Sequence, residues 1–268
     1  MQIKIGPFEF TECWNGVLYK KLSDYPNISA WEIQSVLDFE DYEMKQGRFC
    51  GIEAEETILQ AIERYAPVYR SGIRVPVPEK ITECRACSKY KGCMTDFVCH
   101  TASLKDALSI FESGRLLSAV RVRKKPAEEL QSEPRNAAGD PADYFDYVMF
   151  SWGNCQAGDR LVMERKLGRF PDEKDLSENF TPGIRFYFRY DDLTKHPGRV
   201  FDGVLPLKIR DEVVLQDWLY AAIIPEIYRE AFAGHIPEEL RDRVYYLPND
   251  CKDIWDWSEK VYEFVRKI

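Results

Sequence analysis

Four cysteines stand close together in the pattern Cys84-x2-Cys87-x5-Cys93-x5-Cys99, within sixteen residues of chain. Thiolates at such spacing can wrap one ion tetrahedrally, as in a zinc site, or hold an iron-sulfur cluster. Zinc is the first expectation and iron-sulfur the alternative, because the leading C-x2-C is a metal-knuckle spacing. Four protein ligands would fill the shell, so the metal's role would be structural. The competing reading is four unrelated cysteines, some buried as small apolar residues. His100 and Thr101 follow the last cysteine directly. Imidazole can donate a hydrogen bond from one ring nitrogen while the other accepts, a capacity suited to gripping a hydroxyl-rich ligand. Glu212, beside Arg210 and Asp211, is a carboxylate that could stabilise developing positive charge, or simply a solvated surface acid.

Three segments extend the pattern. After His100 the sequence Ser103-x-x-Asp106 opens a short helix carrying Leu104, Ala107, Leu108 and Phe111, closed by Gly114 and followed by Arg115-Leu116-Leu117-Ser118. Asp146-Tyr147-Val148-Met149-Phe150-Ser151-Trp152 reads as an aromatic-rich strand, with alternation placing Tyr147 beside Met149 on one face and Phe150 beside Trp152 on the other. Glu212-Val213-Val214-Leu215-Gln216-Asp217 is followed by Ile223-Ile224-Pro225.

In that order these segments resemble the ADP-ribosyltransferase fold of the diphtheria-toxin and poly(ADP-ribose) polymerase branch, shared by RNA 2'-phosphotransferases. The motif pattern is most similar to the DarT family of DNA ADP-ribosylating toxins. The resemblance covers residues 98 to 226 and implies an α+β fold with a split β-sheet. It also implies that NAD is bound as substrate and that ADP-ribose passes to a macromolecular acceptor, DNA or protein. By the same resemblance His100 and Thr101 hold the NAD ribose, and one of Tyr147, Phe150 and Trp152 stacks on the nicotinamide. Glu212 serves the reacting centre, and an arginine before the aromatic strand assists. Arg135 is preferred for that last part, with Arg121 and Arg123 in competition. Nicotinamide departs from an oxocarbenium-like centre, as in glycosidic cleavage, so a carboxylate is the residue type that chemistry calls for.

Two features depart from the family. The cysteine cluster is foreign to it, as is the turn Gly153-Asn154-Cys155-Gln156-Ala157-Gly158, which either presents amides to a pyrophosphate or merely joins strand to helix tightly. A non-catalytic, metal-stabilised binding module is the runner-up reading. A Cys99–His100 nucleophilic pair is disfavoured because neighbours on a strand point to opposite faces.

The elements that must position these residues fall into three stretches. Residues 1 to 75 form a small α+β unit: Ile3, Ile5, Phe8 and Phe10 alternate, and Ser29-x-x-Glu32 is a capping box opening a helix that Gly47 would stop. A second helix carries Ile58, Leu59 and Ile62, and Pro67, Gly72, Pro76 and Pro78 then mark the boundary. Residues 76 to 99 are the cysteine-rich loop, and residues 100 to 268 the ADP-ribosyltransferase-like domain. In that domain the patterns predict strands at Leu117–Val122, Tyr147–Trp152, Ile184–Tyr190, Val204–Ile209 and Glu212–Gln216. Helices are predicted at Asp159–Leu167 and after Asn249, and a surface loop over 124 to 142.

The chain has 268 residues, 45% of them apolar and 13% aromatic, enough for a substantial core. Its net charge of -8 gives no general attraction to polyanions, so contact with nucleic acid rests on a local run such as Arg121-Val122-Arg123-Lys124-Lys125. No secretory leader pattern opens the chain, and no apolar run reaches the roughly 18 residues of a membrane span. The expectation is a cytoplasmic protein without a membrane partner, where disulfides are disfavoured.

Overall fold

The computed structural model describes residues 1–9, 11–82, 92–132 and 141–268. It is a mixed α and β architecture built on several small sheets. The first sheet has strand order β2-β3-β1-β4, from β1 (Gln2–Gly6), β2 (Glu12–Trp14), β3 (Val17–Lys21) and β4 (Gly51–Glu53). Helix α1 (Ala30–Lys45) begins where the capping box places it: the Ser29 hydroxyl accepts from Glu32 N, and the Glu32 carboxylate accepts from Ser29 N at 2.8 Å. Helix α2 (Glu56–Arg70) runs through Pro67 in its last turn, so the boundary begins one turn later than the proline suggested. Ile3, Ile5, Leu18, Ile33, Val36, Phe39, Ile58 and Ile62 close this unit's core.

Strands β5 (Lys80–Ile81) and β6 (Cys93–Met94) pair as a short ladder, leading into β7 (Phe97–Ala102). Helix α3 (Leu104–Ser113) is capped at its start by Ser103 and ends at Gly114 in the left-handed conformation, φ 65°. Strand β8 (Arg115–Leu117) ends where the strand predicted for Leu117–Val122 would begin. Ser118 turns the chain into helix α4 (Ala119–Arg123), and α5 (Ala127–Gln131) occupies part of the expected loop. A 3-10 turn at Ala142–Asp146 leads to β9 (Tyr147–Met149) and β10 (Ser151–Trp152), then helix α6 (Ala157–Leu167), β11 (Ile184–Arg189) and the single turn α7 (Tyr190–Leu193). Strands β12 (Arg199–Val200), β13 (Lys208–Arg210) and β14 (Glu212–Val214) follow, then the turn α8 (Leu215–Trp218), β15 (Ala221–Pro225), β16 (Val244–Leu247) and the C-terminal helix α9 (Ile254–Val265).

The larger sheet has order β10-β7-β11-β15-β16. A three-stranded ladder β12-β13-β9 and the pair β14-β8 lie apart from it, and β9 packs against both strands of that pair. One apolar core, with Val98, Ala102, Phe111, Phe150, Phe186, Phe188 and Ile209, joins these sheets. A second, with Phe97, Cys99, Tyr187, Trp257 and Val261, lies under α9.

The first unit docks on the rest through α1. Ser35 Oγ donates to Gly203 O at 2.8 Å, and Arg74 forks onto Asp38 at 2.9 and 2.7 Å while its guanidinium covers the Phe201 ring. Gly203 has φ +72°, and a Cβ there would lie 2.2 Å from Ser35 O. Both the left-handed backbone and the backbone-to-backbone approach require glycine. Gly203→Ala should lower the unfolding free energy by ~1–3 kcal/mol, the cost of overpacking. Urea denaturation reads this, and an unchanged midpoint would mean that α1 does not press on this turn in solution.

Candidate functional site

Strand β7 sets the directions of the first residues. Period-two alternation puts Val98, His100 and Ala102 on the face shared with the main core, and Phe97, Cys99 and Thr101 on the face under α6 and α9. Thr101 therefore points away from His100. It fills the space left by two glycines: a Cβ on Gly158 would lie 2.4 Å from Thr101 Oγ1, and one on Gly183 2.7 Å from Thr101 Cγ2. The structure gives Thr101 a packing position against α6, on the face of β7 opposite His100.

His100 is only partly exposed, with Nδ1 3.1 Å from Met149 O on β9. A carbonyl can only accept, so Nδ1 carries the hydrogen and Nε2 is left as an acceptor in the neutral ring. Burial disfavours the imidazolium and lowers the His100 pKa, while the hydrogen bond to Met149 opposes the shift. The result at neutral pH is an uncharged imidazole with a defined tautomer.

Glu212 opens β14, directly after Asp211, whose φ of 63° is left-handed. Asp211 N donates to Asp146 O and Ser118 N donates to Asp211 O, fixing this corner from two sides. Antiparallel pairing sets Glu212 opposite Leu117 and Val214 opposite Arg115, which makes Arg115 the diagonal neighbour of Glu212. Nη1 of Arg115 donates to Glu212 Oε1, and Nη1 of Arg121, from α4, donates to Oε2 at 2.5 Å. Both arginine side chains are nearly half exposed, at 45% and 46%, against 26% for the Glu212 side chain. Each places one nitrogen on Glu212, and a guanidinium carries five N–H donors in all.

No hydrogen bond or ion pair joins His100 to Glu212. They stand on different sheets, with β9 between them: its Met149 carbonyl holds His100, and its flank packs on β8 and β14. Of the competing arginines, Arg121 reaches the carboxylate. Arg135 lies outside the described residues. Arg115 was missed, because its place beside Glu212 depends on the β8–β14 register, which no local pattern encodes. Within the basic run, Lys125 is paired with Glu129 and Arg121 with Glu212.

The aromatic strand does not run through. It changes sheets at Phe150: Tyr147–Met149 pairs with β13, and Ser151–Trp152 pairs with β7. Phe150 is buried at the crossing with its ring edge-on to His100 at 6.2 Å. Trp152 packs on Tyr190 at 5.1 Å. Tyr147 is buried with Tyr42 and Tyr144 around the Lys208 ammonium. Of the three aromatics Phe150 makes a ring contact with His100, Trp152 packs on the same core as Phe150, and Tyr147 lies in a separate one.

The turn after Trp152 is a packing device. Asn154 accepts from Met94 N at 2.8 Å and donates to Gly92 O at 3.0 Å, while Gly153 lies against Tyr262 and Phe97 O. Asp159, in the first turn of α6, is wholly buried against Arg185.

Cys84 and Cys87 lie outside the described residues. Cys93 and Cys99 are buried, and Cys99 packs among Phe97, Tyr187 and Trp257, where burial pushes its thiol up to about 12. A thiolate ligand at Cys99 would have to form against that apolar environment. Among the described residues no three His, Cys, Asp or Glu side chains converge as a metal site, and no helix is long and apolar enough to cross a membrane. Compared with known proteins, the sequence matches no family model, and no curated protein or solved structure matches it.

Proposed function

We propose that the chain is an NAD-dependent ADP-ribosyltransferase, of the ADP-ribosyltransferase fold and DarT-like in its motifs, acting on a macromolecular acceptor. The observation that carries the reading is the Glu212 carboxylate fixed by two half-exposed arginines, Arg115 and Arg121, beside the strand that holds a neutral His100. Two partly exposed arginines suit a pyrophosphate, and the His100 Nε2 lone pair suits a ribose hydroxyl. In the reaction the bond from ribose C1' to nicotinamide nitrogen breaks and its electron pair leaves with nicotinamide. The acceptor then bonds C1' and releases a proton. A carboxylate beside C1' stabilises the cationic centre between those events.

The test is incubation of the purified protein with labelled NAD and DNA, RNA or protein acceptors. Nicotinamide release and acceptor labelling are expected from the native chain and not from Glu212→Ala. Equal turnover by a folded Glu212→Ala protein would sink the reading. One observation favours the alternative of a non-catalytic binding module: both Glu212 oxygens are already engaged by arginine. That alternative expects NAD binding, or none, with no nicotinamide release from either protein.

A structural zinc or iron-sulfur group on Cys84, Cys87, Cys93 and Cys99 belongs to the same proposal. Elemental analysis of anaerobically purified protein should find zinc or iron in proportion to chain. Absence of both removes the metal, and a metal content unchanged by Cys99→Ala removes Cys99 from its ligands.

A further inference from the structure

Lys208, on β13, is wholly buried, and its surroundings come from both halves of the chain. Its Nζ lies 3.1 Å from Asp202 Oδ2, and stands over three tyrosine rings at 3.7 Å (Tyr42), 3.6 Å (Tyr144) and 4.7 Å (Tyr147). Burial lowers the lysine pKa, and Asp202 opposes that shift. Asp202, Tyr144 and Tyr147 are local to the C-terminal part. Tyr42 is not: it reaches in from α1 of the N-terminal unit. Its hydroxyl donates to Asp143, whose other oxygen takes Arg48 Nη1 at 2.7 Å, while Arg48 Nε binds Glu43 at 2.5 Å. The cage around the ammonium is therefore closed only when α1 is docked. Cation–π attraction is strongest where water is excluded, so the last wall matters more than its share of the contact area.

The position of the cage in the sheet gives it a consequence for the candidate site. Lys208 is the register partner of Met149 across β13 and β9, and Tyr147 is two residues along β9 on the same face. Met149 O is the acceptor that fixes the His100 tautomer. Contacts thus run without a gap from α1 through Tyr42, Lys208 and β9 to His100.

We propose that the N-terminal unit is the positioning element for His100: Tyr42 seals the Lys208 cage, the sealed cage holds β9 in register, and β9 holds the imidazole with Nε2 as acceptor. This rests on the proposed function only in giving Nε2 a ribose hydroxyl to bind. The coupling itself has its own readout.

With histidine labelled in both ring nitrogens, nitrogen NMR separates the two neutral tautomers, and the chain has only three histidines. His100→Gln assigns the signal. His196, whose Nδ1 accepts from Gly198 N at 3.0 Å, supplies the opposite tautomer as a reference in the same spectrum. The native chain and Tyr42→Phe, which keeps the ring wall, should show His100 protonated on Nδ1. Tyr42→Ala should lose that dominance, with a growing Nε2–H population at His100 and unchanged His196 and His235 signals. A folded Tyr42→Ala protein whose His100 stays protonated on Nδ1 overturns the proposal. If Tyr42→Ala does not fold, Tyr42→Leu, which fills volume without a π face, is read against the same two outcomes. A tautomer change with undiminished NAD cleavage would uphold the coupling and remove His100 from the catalytic reading.

Discussion

Asp159→Ala is expected to lower the unfolding free energy by ~3–5 kcal/mol, the cost of removing one partner from a buried ion pair. Asp159 and Arg185 are both fully buried, linked by Nη2 to Oδ2 at 2.5 Å and Nε to Oδ2 at 2.8 Å. Two further donors of the guanidinium go to Tyr187 Oη at 3.1 Å and to Ser258 Oγ of α9. Asp159 Oδ1 accepts from Gly183 N at 2.8 Å, and Tyr187 Oη donates onward to Gly153 O. Deleting the carboxylate orphans a buried cation and a backbone amide together, beneath the strand that carries His100. Replacing both partners by apolar residues, Asp159→Leu with Arg185→Met, should cost less than the single change, since the desolvation of two charges disappears with them. Urea denaturation of the three variants checks this. A single-variant loss within ~1 kcal/mol, the range of exposed pairs, would mean that water reaches the pair.

Glu212→Gln is the complementary case, a large loss of activity with little loss of stability. If the carboxylate stabilises a developing cation at ribose C1', the neutral amide should lower the turnover number by about a hundredfold to a thousandfold, the scale of removing one preorganised electrostatic group. The ion pairs it breaks are partly exposed, so unfolding should shift by no more than ~1 kcal/mol. Steady-state nicotinamide release, measured beside a denaturation curve, separates the two effects. Activity that falls only as far as the folded fraction falls would make Glu212 a strut between β8, α4 and β14.

What could be read from the sequence was what local chemistry decides. The capping box at Ser29 and the Ser103 cap with Gly114 placed α1 and α3 closely, because each cap is satisfied within one turn of chain. Errors arose where distant partners decide. Leu117–Val122 has strand-like composition, yet Ser118 N is taken by Asp211 O from another part of the chain, and a helix starts there. The stretch Tyr147–Trp152 is shared between two sheets, which no local pattern announces, yet its alternation holds: Tyr147 and Met149 share one core, Phe150 and Trp152 the other. The resemblance groups Thr101 with His100, whereas the pleat of β7 turns the two side chains to opposite faces. Lys208 offered no signal, since an isolated lysine in an apolar stretch does not reveal three aromatic partners drawn from two segments.

The single residue between β13 and β14 carries a consequence for how this chain can vary. Arg210 ends one strand and Glu212 begins the next, with Asp211 alone making the corner in a left-handed conformation. That corner suits Asp, Asn or Gly, the residue types that take a left-handed backbone with least strain. Its length cannot change: removing one residue would turn β14 by one pleat and set Val213 between the two arginines, and adding one would likewise send the carboxylate to the opposite face. The join is therefore a fixed-length hinge pin, narrow in the residue types it takes and closed to insertion.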